Sequence, residues 1–320
     1  MIHRPLIEQV TDIGNLNRAF QHCQKGKKRS VACQNFLLSM PDVFHFMRKN
    51  ILNGSYPWLP YHQIKVFDPK ERDILVAPFR DRVLHQAISQ IIAPSIDKEI
   101  PKNSFACRQD MGNRYAVLKL HDFLKRSGSH RYCIKLDIKR YFNSIDHEIL
   151  ISKLKTVIDD KQVLRLLTSL IESHEPFRIR KCGIPIGNVS SQHFANLYLS
   201  PIDKLAQEFR SFFYIRYMDD MVIVADNKRN ASKICELLKD RISDLRLTVP
   251  KEKTVLLGQD PIPFLGFLVS HDFIRPLSRN LRRHKRQVRR MSKGEYLLSQ
   301  IEEVKTSFNA WNSLQCELPS

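Results

Sequence analysis

The chemistry that this sequence can do rests on aspartates. Asp219 and Asp220 stand side by side between two runs of aromatic and β-branched residues, Phe213 to Tyr217 and Met221 to Val224. That pattern predicts two strands joined by a very tight turn, with Asp219 and Asp220 at the tip where such turns usually carry Asn-Gly. Adjacent carboxylates between half-buried strands repel each other unless a cation neutralises them. Dense carboxylate oxygen suits hard cations, Mg²⁺ above all where phosphates supply further ligands. A third carboxylate comes from upstream. Between Tyr132 and Lys139, Tyr132, Ile134, Leu136 and Ile138 alternate with Cys133, Lys135, Asp137 and Lys139, so a strand here presents Asp137 opposite its main apolar row. Three aspartates converging from a strand and an adjacent hairpin would hold two divalent ions. One would acidify an attacking 3′-hydroxyl, and both would clamp the reacting phosphate and the departing pyrophosphate. An Asp-Asp pair alone is most often a surface turn; its aromatic-Met setting and the strand aspartate upstream make this one specific.

The elements that must position these residues follow from periodicity. Ser39 is set to cap a helix from Pro41 to Asn53 with Val43, Phe46, Met47 and Ile51 on one face, ended by Gly54. Tyr61 to Phe67 and Arg72 to Ala77 bracket Asp68-Pro69-Lys70-Glu71 and predict a second, polar hairpin. An amphipathic helix follows from Phe79 to Ile100, with Val83, Ala87, Ile88 and Ile91 inward. Past Asp137, Ser144 or Asp146 can start a helical region that runs to about Ser173. A glycine-bearing loop, Gly183 to Asn188, leads to a helix from near Ser190 with Phe194, Leu197 and Tyr198 as its apolar face. Beyond the acidic hairpin come a helix from Ala231 to Leu245 and strands at Lys253 to Leu257 and Phe264 to Val269. Two helices close the chain: a strongly basic one with Leu277, Leu281, Val288 and Met291 on its apolar side, and one with Leu297, Ile301, Val304, Phe308 and Trp311 in helical register.

Composition narrows the partners. The chain of 320 residues has 52 Lys plus Arg against 33 Asp plus Glu, a net charge of +19, and a field of that sign favours a polyanion such as nucleic acid. Hydrophobic residues at 42% are enough for a buried core. There is no apolar run long enough to span a membrane and no signal-peptide core at the start, so the expected setting is the cytoplasm, without a membrane partner. The 7 cysteines form no CxxC pair, which argues against a zinc site or a disulfide framework. The basic run Lys25 to Arg29 is as consistent with a solvated loop as with a nucleic-acid contact. Arg282, Arg283, Arg286, Arg289 and Arg290 on the basic helix can grip a duplex backbone.

From about Gly54 to Leu314 the sequence resembles reverse transcriptases. Tyr217-Met218-Asp219-Asp220 is similar to that family's hallmark hairpin. Lys135-Leu136-Asp137-Ile138-Lys139, with Tyr141-Phe142 and Ser144-Ile145-Asp146-His147, resembles the first palm motif of the group II intron-like branch. Asp68 to Arg72 with Asp81-Arg82, Ser104 to Arg108, Lys253-Thr254 and Phe264-Leu265-Gly266-Phe267 follow in the family's order. The loop before the palm helix departs from the common Gln-Gly…Ser-Pro pattern. It reads Ile186-Gly187-Asn188-Val189-Ser190-Ser191-Gln192, which resembles the reverse transcriptases of diversity-generating retroelements.

The resemblance implies an α+β right-hand polymerase: an N-terminal extension and fingers over 1–130, a palm of antiparallel sheet on helices over 131–272 with fingers helices inserted at about 150–182, and a short helical thumb over 273–320. It implies that Asp137, Asp219 and Asp220, with the Ile138 carbonyl, ligate two Mg²⁺, and that Lys253 protonates pyrophosphate. Arg72, Lys65 and Lys70 would hold the incoming triphosphate. Phe142 would exclude a 2′-hydroxyl, and Ile186, Gly187 and Gln192 would line the nucleotide. At position 186 a glutamine could hydrogen-bond template or nucleotide and an isoleucine cannot, so selection loosens. The resembling group copies with errors opposite template adenines. The implied partners are an RNA template and RNA–DNA hybrid, deoxynucleotides and a small basic helical accessory protein, in a bacterial or phage-encoded setting. An ordinary intron- or retron-type reverse transcriptase and a catalytically idle nucleic-acid-binding assembly protein are the rival readings.

Overall fold

The computed structural model describes residues 4–67, 71–127, 131–209, 212–251, 254–257 and 261–292. In chain order the elements are α1 (Leu6–Val10), α2 (Ile13–Cys23), α3 (Val31–Leu38), α4 (Met40–Leu52), β1 (His62–Phe67), β2 (Glu71–Val76), α5 (Phe79–Glu99) and α6 (Asn113–Ser127). Next come β3 (Tyr132–Asp137), α7 (Tyr141–Ser144), α8 (His147–Val157), α9 (Lys161–Ile171), α10 (Glu175–Arg180), α11 (Val189–Glu208), β4 (Phe212–Tyr217) and β5 (Asp220–Ala225). The series ends with α12 (Lys228–Asp244), β6 (Val255–Leu257), β7 (Ile262–Phe264), β8 (Phe267–Val269), β9 (Ile274–Pro276) and α13 (Ser278–Ser292). The chain divides into two units. The first holds Met1–Pro101, Lys139–Lys204 and Arg241–Thr248; the second holds Lys102–Ile138, Leu205–Asp240 and the described residues from Val249 onward.

The first unit is built on α5, whose Val83, Leu84, Ala87, Ile88 and Ile92 are all buried. Helix α2 lies along it, and the Asn15 amide donates to the Ala87 carbonyl at 3.1 Å, pairing a buried polar group. Phe20 stacks on Phe36 at 5.3 Å between ring centres and meets Phe79 edge-on. Asp81, also buried, accepts from the Tyr56 hydroxyl and the Leu59 amide at 2.8 Å each, fixing the segment that enters β1. Strands β1 and β2 form the expected antiparallel hairpin, from His62 opposite Val76 to Phe67 opposite Glu71. Asp146 caps α8 by accepting from the Ile149 amide.

In the second unit an antiparallel sheet runs in the order β4-β5-β3-β6. On one face Cys133, Ile215, Val222 and Val224 join Ala116, Val117, Leu120 and Leu124 of α6 and Phe264 and Phe267 of the β7-β8-β9 sheet in a buried cluster. Burial of this area is the main stabilising term, about 25 cal/mol per Å² of apolar surface. His121 of α6 shares a 2.7 Å hydrogen bond with the Ser270 carbonyl beyond β8, a polar stitch inside that cluster.

Three local expectations need correction. Ser39 stands at the N-cap of α4, but its side chain does not cap it: the hydroxyl donates back to the Asn35 carbonyl at 3.0 Å and closes α3. The inward face of α4 is Phe44, Met47 and Ile51, while Phe46 is exposed. Phe264 to Val269 is not one strand. Leu265 and Gly266 both take positive φ, 46° and 92°, and fold the run into the β7–β8 hairpin, as a two-residue turn between right-twisted strands requires. A Cβ at Gly266 would stand 2.6 Å from Asn280 Nδ2, whose amide donates to the Gly266 carbonyl and ties the start of α13 to this turn. The second C-terminal helix of the sequence reading, 297–311, lies outside the described residues. Among the described residues no helix is long and apolar enough to cross a membrane.

Candidate active site

The acidic hairpin forms as the flanking strands dictate, with a shift at its tip. Tyr217 pairs with Asp220, so the two-residue turn is Met218-Asp219 and Asp220 is the first residue of β5. Met218 takes a positive φ of 54° and Asp219 does not. A side chain in that conformation costs about 1–2 kcal/mol, and it persists where the surroundings over-determine it. Here the surroundings include Arg216, fully buried on β4, whose guanidinium donates to the Met218 carbonyl at 3.0 Å.

The shift matters for the chemistry. Asp220 is the direct antiparallel partner of Asp137 on β3, and side chains so paired share a face with Cβ atoms about 5 Å apart. Both carboxylates stand where the apolar layer of Cys133, Val222 and Ile215 runs out. Burial pushes the Asp220 carboxyl above its usual range and the neighbouring Asp137 pushes the same way, while Lys135 pulls it down. Lys135, two residues before Asp137 on the same face, holds its ammonium 3.2 Å from Asp220 Oδ1. Asp219, the residue before Asp220, sits in the turn itself. Among the described residues no three His, Cys, Asp or Glu side chains are gathered into a ready-made metal cage. The donor set is a carboxylate pair with a third acid beside it, which fits a hard cation that takes its remaining ligands from water and phosphate oxygens.

The predicted nucleotide-side residues lie in the first unit. On the β1–β2 hairpin Lys65 faces with Asp73 and Arg72 with Val66, so the two cations occupy opposite faces. Arg72 shares its face with Ile74, whose Cγ2 abuts Gly187 of the glycine-bearing loop; Lys65 pairs with Glu71 at 2.7 Å on the other. Gly187 has φ 109°. Ile186 is half-buried in the turn and Gln192 half-buried in the first turns of α11. Phe142, in α7, accepts on its carbonyl from the Ile184 amide at 2.9 Å, two residues before Ile186. In the second unit Ile138 is buried, and Arg282, Arg283, Arg286, Arg289 and Arg290 are exposed along α13. Lys70 and Lys253 lie outside the described residues. Sequence reasoning missed Arg216 and the pairing role of Lys135. A cation amid an aromatic β-branched strand, and one two residues before the strand aspartate, were the available signals.

A family model described as "Reverse transcriptase (RNA-dependent DNA polymerase)" matches residues 67–269, which hold the carboxylates and the glycine-bearing loop. The chain belongs to the reverse transcriptase family. Among the relatives of this family member, a putative COX1/OXI3 intron 1 protein of Saccharomyces cerevisiae is 23% identical over 71% of this chain and 34% of its own length. The retron Ec73 reverse transcriptase of Escherichia coli is 27% identical over 52% of this chain and 56% of its own. The chain thus spans between a third and a little over half of these two relatives. Apo telomerase from Candida tropicalis superposes with a TM-score of 0.54 at 12% identity, over 69% of this chain and 49% of that one. This likeness shows the shared α+β fold of antiparallel sheets packed with helices.

Proposed function

We propose that this reverse transcriptase family member is an RNA-directed DNA polymerase that extends a DNA strand on an RNA template. The observation that carries the reading is the register of β3 and β5, which sets Asp137 directly across from Asp220 with Asp219 in the adjoining turn. In the reaction the primer's 3′-hydroxyl oxygen bonds to the α-phosphorus of a deoxynucleoside triphosphate, the bond to the β-phosphate breaks, pyrophosphate leaves and the hydroxyl proton is given up. Bound Mg²⁺ would supply Lewis-acid polarisation of the phosphate and acidify the attacking hydroxyl. The chain's own part is to present Asp137, Asp219 and Asp220, with the Ile138 carbonyl, as oxygen ligands, while the Lys135 ammonium offsets the repulsion between Asp137 and Asp220. Arg72 is the better-placed ligand for the triphosphate, on the hairpin face that meets the glycine-bearing loop; Lys65, Lys70 and Lys253 are secondary candidates. Phe142 would exclude the 2′-hydroxyl, and the α13 arginines would hold the duplex.

Within that activity we assign error-prone copying, with faults at template adenines, of the kind found in diversity-generating retroelements and served by a small basic accessory protein. Ile186 supports this reading, because an aliphatic side chain cannot hydrogen-bond a base or nucleotide where glutamine could. The intron and retron relatives favour the second reading, an ordinary reverse transcriptase of those kinds. Primer extension with Mg²⁺ on an RNA template tests the activity. Wild type is expected to incorporate, and Asp220→Asn to lose about 10²- to 10³-fold with its fold kept. No incorporation by wild type on any template would leave a nucleic-acid-binding protein. Sequencing the products tests the subtype: excess errors at template adenines that fall in Ile186→Gln support error-prone copying, and an even, low error rate supports the ordinary kind.

A further inference from the structure

Outside the carboxylate site, the first unit holds a chain of buried and half-buried polar side chains that the proposed chemistry does not use. His85 of α5 is 2% exposed. Its Nδ1 lies 2.7 Å from Ser190 Oγ at the start of α11, and its Nε2 lies 3.4 Å from the hydroxyl of Tyr61, the residue before β1. The Asn188 amide donates to the same hydroxyl at 3.1 Å, and Ser173 Oγ lies 3.3 Å from it. The ring of Trp58 stands 5.6 Å from that of His85, and its indole N–H donates to Ser169 Oγ. The donors and acceptors close if Ser190 donates to Nδ1 of a neutral imidazole, Nε2–H and Asn188 donate to Tyr61, and Tyr61 donates to Ser173. An apolar cluster of equal volume would fill this space at least as well. What a satisfied polar network adds is direction.

Its members bracket one loop. Asn188 and Ser190 are buried and flank the end of the Ile186-Gly187 turn, and Gly187 itself abuts Ile74 of β2. The loop is therefore held on the hairpin strand at Ile74, on the hairpin's base through Tyr61 and on α5 through His85. We infer that Tyr61, His85, Asn188 and Ser190 are positioning residues that set the Ile186–Gly187 loop against the β1–β2 hairpin, and so govern how strictly an incoming nucleotide is selected. This rests on the reading that the loop lines the nucleotide. None of the four is placed in the chemical step, so altering them should move nucleotide affinity and selection and leave turnover at saturation alone.

The test compares Tyr61→Phe, which removes one hydroxyl, and His85→Gln with wild type and Ile186→Gln. The measurements are deoxynucleotide KM, kcat at saturation, the error spectrum on one RNA template and the Mg²⁺ concentration for half-maximal rate. Tyr61→Phe, which removes the acceptor for His85 and Asn188 and the donor to Ser173, is expected to raise KM about tenfold. It should also shift the error spectrum, with kcat and the Mg²⁺ requirement within about twofold of wild type. His85→Gln should follow it, and if that variant fails to fold, Tyr61→Phe decides alone. KM and errors at wild-type values in Tyr61→Phe, while Ile186→Gln shifts the spectrum, would overturn the positioning role and leave the loop's contact with nucleotide standing. A fall in kcat and melting temperature with KM unchanged would overturn it too, as the mark of a merely structural network. If Ile186→Gln is silent as well, the reading beneath it falls.

Discussion

A histidine closed in by Trp58, Tyr61 and Ser190 has little choice but neutrality, and its titration can be read from stability alone. Burial pushes the His85 imidazole down to about 3. In the unfolded chain the same group takes a proton near the ordinary value of about 6.5. Between those values the unfolded state binds the extra proton, so the folded state loses ground as pH falls, by about 1.4 kcal/mol per pH unit for this one group. His174 and His193 are shifted downward by burial as well and add to the trend, which is why the comparison has to be made with His85→Gln. Urea unfolding at pH 7, 6 and 5 should find wild type the more stable protein at pH 7 and the gap narrowing at each step down. A gap that stays constant would mean the imidazole ionises normally in the fold. Asp220 is the counterpart with opposite charge: burial and Asp137 favour its neutral form, so the pair is poised to gain from a cation.

At the scale of an element, the β4–β5 turn concentrates the tension between local preference and function. Met218 holds a left-handed conformation that glycine or asparagine adopts far more readily, and the buried Arg216 guanidinium secures its carbonyl. Met218→Asn is expected to leave stability unchanged or raise it slightly. Met218→Ile, β-branched in the same conformation, should lower it by on the order of 1 kcal/mol, and thermal unfolding of the two variants separates these outcomes. The turn also shows where sequence reading stops. Two-residue alternation made the phase of Asp137 on β3 legible, and the hairpin with it, because burial of Ile134 and Leu136 forces every other side chain to the opposite face. Which residues would bend was not legible, since no glycine marks the tip and the left-handed position fell to a methionine. The Leu265-Gly266 turn was hidden differently: Gly266 marks it, but the apolar residues on both sides read as one strand. The opposite facing of Lys65 and Arg72 was hidden too, because it depends on the register of β1 against β2 and not on either residue's type. The His85 network was beyond reach for a further reason: its members are scattered from Tyr61 to Ser190, and hydrogen bonds between such distant positions leave no period in the sequence.

For the whole molecule the governing quantity is charge. A net +19 on 320 residues sets up a field that draws in polyanions whatever their sequence, and α13 presents Arg282 and Arg286 at exposed positions along a single helix. If these arginines meet phosphates, each contact displaces a condensed counterion, and the logarithm of affinity then falls linearly with the logarithm of salt concentration. Replacing Arg282 and Arg286 with glutamine keeps the helix-forming stem and removes two charges. Binding of an RNA–DNA duplex should weaken similarly for all sequences, and the salt slope should shrink by roughly one for each arginine that touches a phosphate. Fluorescence anisotropy across a series of salt concentrations measures both. A weaker affinity with the slope unchanged would mean the substitutions act through the fold of α13. An unchanged affinity and slope would move the duplex contacts off this helix and onto other basic surfaces of the chain.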